Sequence, residues 1–395
     1  MNYNNTNVLI GPANAISAPE VVWSLIQCKL NVYIYSYRGS ISIFKLIKGV
    51  TILKVESPKV DRKKFLADII NIVENEKISV FIPLDDFAIE STVELSQSCH
   101  SLKIPVDHRN YNICLNKWYQ IQAATSSGLL VPETRYCESI DEVLNNKVYP
   151  CFVKSSMAVA LKDNKLFRDS CYVCKDIKEL KKIVYAWDFA RPMLIQPCLS
   201  GCGEGIFGFA TGKKINWWSA HRRIRMMNPQ GSGSSACEAI VPDGELLEPI
   251  KKFLAMNCWQ GMFMIEFLRG ADGKAYFMEM NGRAWGSMAL ARRGGFEYPA
   301  WTVLNLLDPE FEPVAPLPKL PLRCRHLGRE IIHLLMVIRG PSSEAVPNWP
   351  SVRMTVRELL SHSKFDYWYN YHKNFLFFFF DTIMTVFYSI YNRKK

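Results

Sequence analysis

Over the first hundred residues, short apolar runs alternate with helical patterns, and this restricts the fold more than any other feature. NVLIG (7–11), NVYIYS (31–36) and SVFIPL (79–84) read as buried strands. Between them, Ser17 to Lys29 places Val21, Val22, Leu25 and Ile26 at helical spacing, and Phe65 to Val73 also reads as helix. Asp85 and Asp86 follow the third strand and open a helix expected to reach about Cys99. Such alternation buries both faces of its strands by forming a parallel sheet with helices packed on it. No G-x-G-x-x-G follows the first strand, so a dinucleotide site there is unsupported.

The texture changes near residue 114. Asn116 to Ser127 is expected to be helical and to end at Gly128, and PCFVK (150–154) and Leu194 to Pro197 read as strands. SIDEVL and DIKELKKIV read as helices with acids in their first turns, where the helix dipole favours them. Gly205 to Ala210 and Lys214 to Ala220 read as antiparallel strands joined at Thr211-Gly212. This part is α+β. A Pro-rich stretch after Pro309 leads to a helix around Gly328 to Ile338. A chain of 395 residues has room for two or three domains of about 100–200 residues. The expected divisions are 1–113, 114–310 and 311–395.

Hydrophobic residues make up 49% and charged residues 22%, which excludes a disordered or collagenous chain. The net charge of +11 suits an anionic ligand, an acidic membrane face or nucleic acid. The basic run His221-Arg222-Arg223-Ile224-Arg225 is interleaved with apolar strand residues and lacks a stacking platform, which argues against nucleic acid. Twelve cysteines at irregular spacing read as reduced thiols. Such thiols fit a cytoplasmic protein, and the start, MNYNNTNVLIGP, lacks the basic and apolar segments of a secretory signal. Cys171 and Cys174 form C-x-x-C, but in a strand they point to opposite faces and would not chelate.

The sharpest local signal is GMFMIEFLRGADGKAYFMEMNGR (261–283). Two apolar runs flank Asp272-Gly273, a two-residue hairpin signal. A two-residue loop places Glu266 opposite Glu279, and opposed side chains lie ~4.5–5.5 Å apart, where like charges destabilise. Asn281 and Arg283 follow at two-residue steps and share that face. Two carboxylates and an amide inside apolar strands call for a cation between them. Oxygen ligands suit Mg²⁺, which takes further ligands from substrate phosphates, and Arg283 suits an oxyanion. A solvent-facing hairpin edge with incidental acids is the bland alternative.

The run Glu266 … Met278-Glu279-Met280-Asn281-Gly282-Arg283-Ala284-Trp285-Gly286-Ser287, then Gly294-Gly295, resembles the ATP-grasp superfamily, in particular its carbamoyl-phosphate-synthetase-like carboxylate–amine ligases. Lys117, after Asn116, resembles a basic residue that reaches the phosphates. Lys154 is similar to the lysine of a "vvKP" strand. Gln196-Pro197-Cys198-Leu199 resembles the hinge whose backbone holds adenine, and the HRRIR strand with Gly231-Ser232-Gly233-Ser234 resembles an "HrRlre" strand and loop. The resemblance implies a Rossmann-like domain before a two-lobed ATP-grasp fold, with a helical C-terminal extension. It implies a ligase that uses ATP with Mg²⁺ or Mn²⁺ to join a small-molecule carboxylate to an amine through an acylphosphate. Glu266, Glu279 and Asn281 would hold metal. Arg283, with Arg223 or Arg225, would hold the carboxylate or acylphosphate. Glu204 reads equally as a ribose contact or a solvated acid, and His221 as a ligand contact or a satisfied strand histidine.

Two positions depart from the pattern: Ser155 and Gly282 stand where proline is usual. Gly282 is expected to leave the backbone carrying Arg283 less constrained. The segment 155–168 has no glycine, so a glycine-rich phosphate loop is absent there. The alternative function is a catalytically inactive nucleotide-binding or membrane-surface scaffold. The apolar tail, Phe375 to Tyr391, followed by Arg393, Lys394 and Lys395, leaves three placements open: packed on the protein, lying on an anionic membrane, or spanning one. Homo-oligomerisation is also open.

Overall fold

A computed structural model describes the whole chain except residues 1, 2, 4, 5, 213, 230, 315–319, 342–348, 365, 370–373 and 392–395. The expected parallel sheet is present. Strands β1 (Asn7–Gly11), β2 (Asn31–Tyr37), β3 (Val50–Val55) and β4 (Val80–Pro83) are arranged in the order β3-β2-β1-β4. Strand alternation divides its apolar residues between two faces. Val8, Ile10, Val32, Ile34 and Ile82 pack with Val21 and Leu25 of helix Ala18–Gln27, whereas Leu9, Tyr35 and Phe81 pack with Phe65 and Ile69 of helix Arg62–Asn75. Strand β3, which the sequence did not announce, is a half-exposed edge strand with little apolar contrast.

A second sheet is antiparallel. Strands β5 (Arg135–Cys137) and β6 (Cys151–Ser155) belong to it. The small hairpin of β7 (Ala160–Lys162) and β8 (Lys165–Phe167) interrupts the sequence before β9 (Tyr172–Cys174) and β10 (Met193–Pro197) complete the order β5-β10-β6-β9. Val153, Met193 and Ile195 pack with Leu180 and Val184 of helix Ile177–Val184.

The third sheet has seven strands: β11 (Gly201–Thr211), β12 (Lys214–Asn228), β13 (Ser232–Ile240), β14 (Gly261–Gly270), β15 (Ala275–Asn281), β16 (Arg323–Arg325) and β17 (Asp366–Trp368). Their order is β15-β14-β11-β12-β13-β16-β17. One face, with Ile206, Phe263, Ile265 and Phe277, packs on helices Lys117–Ser127 and Leu247–Met256. The other, with Phe207, Phe209, Met262 and Met264, packs in one core with Val8, Ile10 and Ile82 of the first sheet. That second face is the one turned toward the N-terminal sheet.

The C-terminal segment is mainly helical but also supplies β16 and β17. Its last helix, Phe375–Tyr391, lies on the protein body. Phe377 is fully buried against Trp23 and Phe44, with ring centroids 5.0 and 5.5 Å away. No helix of the described residues is long and apolar enough to cross a membrane, which removes the spanning placement for this helix. Arg393, Lys394 and Lys395 lie outside the described residues. All twelve cysteines are free thiols. In the C-x-x-C stretch, Tyr172–Cys174 is strand and Cys171 precedes it, and Cys174 sits opposite Cys151 on the neighbouring strand.

Candidate functional site

The β14–β15 hairpin faces the two acids together, but by a different route from the one expected. Its loop has three residues, not two: Gly270 N–H donates to Lys274 O at 2.9 Å, and Gly273 takes the left-handed φ of 77° that such a loop requires. That length pairs Phe267 with Phe277, a register that would set Glu266 opposite Met278. A bulge at Met278 then adds one residue and restores Glu266 opposite Glu279 and Met264 opposite Asn281. The apolar spacing carries this signal, because Ala275, Phe277 and Met280 share the buried face at steps of two and then three. Buried Gln120 pins the strand at that point: Met280 N–H donates to its Oε1 at 3.0 Å, and its Nε2 donates to Met280 O at 3.1 Å.

Glu266 and Asn281 lie together on the opposite face, the one that carries Met264, the Asn281 Nδ2 being 3.4 Å from Glu266 Oε1. Arg223, on β12, donates to Glu266 Oε2 at 2.5 Å. Burial pushes the Glu266 carboxyl above the usual range, Arg223 pulls it back, and neighbouring Glu279 pushes it up again. Among the described residues no cluster of three or more His, Cys, Asp or Glu side chains could hold a metal. The candidate oxygen set is therefore two carboxylates and one amide.

Two lysines come from the second sheet and from the helix that precedes it. Lys154 on β6 has its pKa lowered to about 8, first by burial and then by the positive charge of Lys117, with Glu279 acting the other way. Lys117 opens the helix Lys117–Ser127, whose cap is Asn116 accepting from Tyr119 N–H, and its own N–H donates to Ser156 O at 2.7 Å. The positive charge of Lys117 disfavours that of buried Lys154, and an anion bound beside them would relieve this.

Arg283 is committed to a residue outside the expected set. Its Nε donates to Asp86 Oδ1 at 2.6 Å, and Arg168 also pairs with Asp86. Burial opposes ionisation of Asp86, but Arg283 and Arg168 hold its pKa below the ordinary value. Asp85 beside it is raised to about 6, chiefly by burial, although Ala88 N–H donates to its carboxylate at 2.8 Å. Sequence reasoning noted this acid pair and gave it no role. The available signal was its place at the carboxyl end of a buried parallel strand, where open α/β sheets form their crevices. Gly282 is not loose either: a Cβ there would meet Cys114 Sγ at 2.5 Å and the Trp259 ring at 2.6 Å, so the backbone before Arg283 is walled in.

Other expected site residues are placed elsewhere or already partnered. Arg225 follows a bulge in β12 and pairs with buried Glu330 at 2.5 Å, on the helix Leu327–Arg339, instead of joining Arg223 at Glu266. Glu204 pairs with Arg269 at 2.9 Å. His221 is buried, its Nδ1 3.0 Å from Ser287 Oγ and its ring edge-on to Phe207. Burial, then Arg223, drives its pKa well below the usual histidine value, so it is neutral. In the hinge, Gln196 is buried and donates to Thr134 Oγ1, Pro197 ends β10, and Cys198 N–H is taken by Pro150 O, which leaves Leu199 beyond it. The glycine-free segment forms the β7–β8 hairpin, and that hairpin is tied to the N-terminal part: Leu166 N–H donates to Pro58 O at 2.9 Å, and Asn164 Nδ2 to Asp61 Oδ1 at 2.8 Å.

No family model matches the chain, and no curated relative matches it. Solved structures do. An L-amino acid ligase from Bacillus licheniformis superposes with a TM-score of 0.62 at 15% identity, over 82% of this chain and 81% of that one. A biotin carboxylase from Campylobacter jejuni gives 0.61 at 14% identity, over 80% and 74%. A carboxyaminoimidazole ribonucleotide synthase from Aspergillus clavatus, complexed with ATP, gives 0.57 at 15% identity, over 80% and 79%. At these identities the likeness is one of fold.

Proposed function

We propose that this chain, which has the ATP-grasp fold, is an ATP- and Mg²⁺-dependent ligase that joins a carboxylate to an amine through an acylphosphate. The observation that carries the reading is the electrostatic coupling of an acidic set with a basic one, Glu279 acting on buried Lys154. Glu266, Glu279 and Asn281 make the first set, Lys117 and Lys154 the second, and Arg223 and Arg283 are coupled to the acids. A triphosphate with its metal would answer both sets at once. The donor set fits a hard divalent cation, since Glu266 and Glu279 are opposed on a face where burial already raises the Glu266 pKa. Bound there, Mg²⁺ or Mn²⁺ would neutralise phosphate charge.

The chain's own residues do the rest by position and charge. Lys117 and Lys154 neutralise the phosphates as a substrate carboxylate oxygen attacks the γ-phosphorus and ADP leaves. Arg283, its Nε held by Asp86, offers its remaining N–H groups to the carboxylate and then to the acylphosphate, and Arg223 supports the same anion. An amine nitrogen then attacks the acyl carbon and phosphate departs. The L-amino acid ligase and the biotin carboxylase among the solved structures agree with carboxylate activation, and the structure complexed with ATP agrees with the nucleotide. The Rossmann-like part at 1–113, the ATP-grasp part at 114–310 and the extension at 311–395 are the divisions this reading uses.

The test is ADP release with a panel of carboxylates and amines. Turnover should appear with one pairing, and Glu279→Ala should lower it by about a hundredfold or more. A chain that binds ATP yet turns over no pairing in the panel would refute the ligase.

A further inference from the structure

The helix Phe375–Tyr391 carries a single charged residue, and that residue is turned away from water. Asp381 is 15% exposed, its carboxylate 3.6 Å from Nε2 of His326. Phe377 plugs the same inner face into the core. The outer face holds Phe375, Leu376, Phe379, Phe380, Ile383 and Ile390, each between 42% and 66% exposed. A soluble helix places Lys and Glu where this one places phenylalanine. Contiguous apolar exposure of that kind marks a surface that something covers.

Charge decides what covers it. At one end of the helix, Asn374 Nδ2 donates to Leu46 O, in a turn whose Lys45 and Lys48 are exposed, and residues 41–55 contain no acid. At the other end the sequence runs on into Arg393, Lys394 and Lys395. Basic groups at both ends repel a second copy of the same face in either orientation. They attract a sheet of phosphates. At 17 residues the helix is about 25 Å long, short of the ~30 Å hydrocarbon core, and one side is fixed to the protein. It fits a bilayer lying flat, with its rings at the headgroup–acyl boundary and the lysines at the phosphates.

We propose that this face docks the chain on an anionic bilayer surface. The full chain should sediment with vesicles of equal parts phosphatidylcholine and phosphatidylglycerol. It should sediment far less with phosphatidylcholine alone, and added salt should release it. Phe379→Asp with Ile383→Asp should lower the partition by roughly tenfold or more, with circular dichroism and monomer mass unchanged. Lys45→Glu with Lys48→Glu changes no buried group and should lower partition to the anionic vesicles alone. Absence of sedimentation with anionic vesicles overturns the proposal. So does a dimer in solution that the Phe379 and Ile383 substitutions disperse, since the covering surface would then be a second copy.

Discussion

Lys154 shows how a single side chain couples the site to pH. Burial and Lys117 make its proton easier to lose in the folded chain, to a pKa of about 8, than in the unfolded one. A folded state that binds this proton less tightly gains stability from the group as pH rises past about 8 toward the ordinary lysine value. Nucleotide affinity should run the opposite way, because the phosphates need the charged form. ATP affinity by calorimetry is expected to fall through about pH 8, and Lys154→Arg should flatten that dependence, since guanidinium does not titrate there. Gly282 carries a second expectation at this scale. With Cys114 and Trp259 both closer than any real Cβ contact allows, Gly282→Ala should cost about 1–3 kcal/mol in denaturant unfolding.

Among the elements, the β14–β15 hairpin and the β7–β8 hairpin set what the site residues face. In the first, the Met278 bulge compensates a loop one residue longer than the sequence suggests, and only the combination brings Glu266 and Glu279 together. The second takes the place of a glycine-rich loop and is anchored across the molecule. Asn164 adopts a left-handed φ of 59°, accepts from Lys63 N–H at 3.1 Å and donates to Asp61. Asn164→Gly keeps that backbone conformation and removes both side-chain bonds. Hydrogen exchange over 158–168 should quicken, while global unfolding changes by about 1–2 kcal/mol. Unchanged exchange would mean that the two backbone bonds, Leu166 N–H to Pro58 O and Arg62 N–H to Asn164 O, hold the hairpin without the side chain.

At the scale of the whole molecule, the contact between the N-terminal sheet and the large sheet is electrostatic where it meets the site. Asp86 reaches across to Arg283, and its lowered pKa keeps that pair ionised throughout the ordinary working range. Asp85 behaves in the opposite sense. Its folded pKa of about 6 lies above the unfolded value, so the folded state holds the proton more tightly. Stability from this group is present at low pH and is lost as pH rises through about 6. Asp85→Asn preserves a cap acceptor for Ala88 and removes the buried charge. Thermal melts should show the variant more stable than the parent above pH 6 and nearly equal to it around pH 4.

Periodicity and local chemistry sufficed for three of the four strands of the parallel sheet and for most helices, because each depends on residues a few positions apart, whereas Glu266 meets Glu279 through a longer loop and a bulge that a two-residue turn did not foresee. The same local patterns placed Lys117 at a helix start and Lys154 on a strand, while the resemblance alone singled the two out. Tertiary structure alone decided the partners. Asp86 lies 197 positions from Arg283, and Glu330 lies 105 positions from Arg225. Nothing near either arginine announces which carboxylate will reach it. The tail divides in the same way: its sequence made it apolar throughout, but packing chose Phe377 for the core and left the outer rings exposed. An ion pair or a buried ring is settled by which surfaces the folded chain brings together, and chain separation hides that from any local pattern.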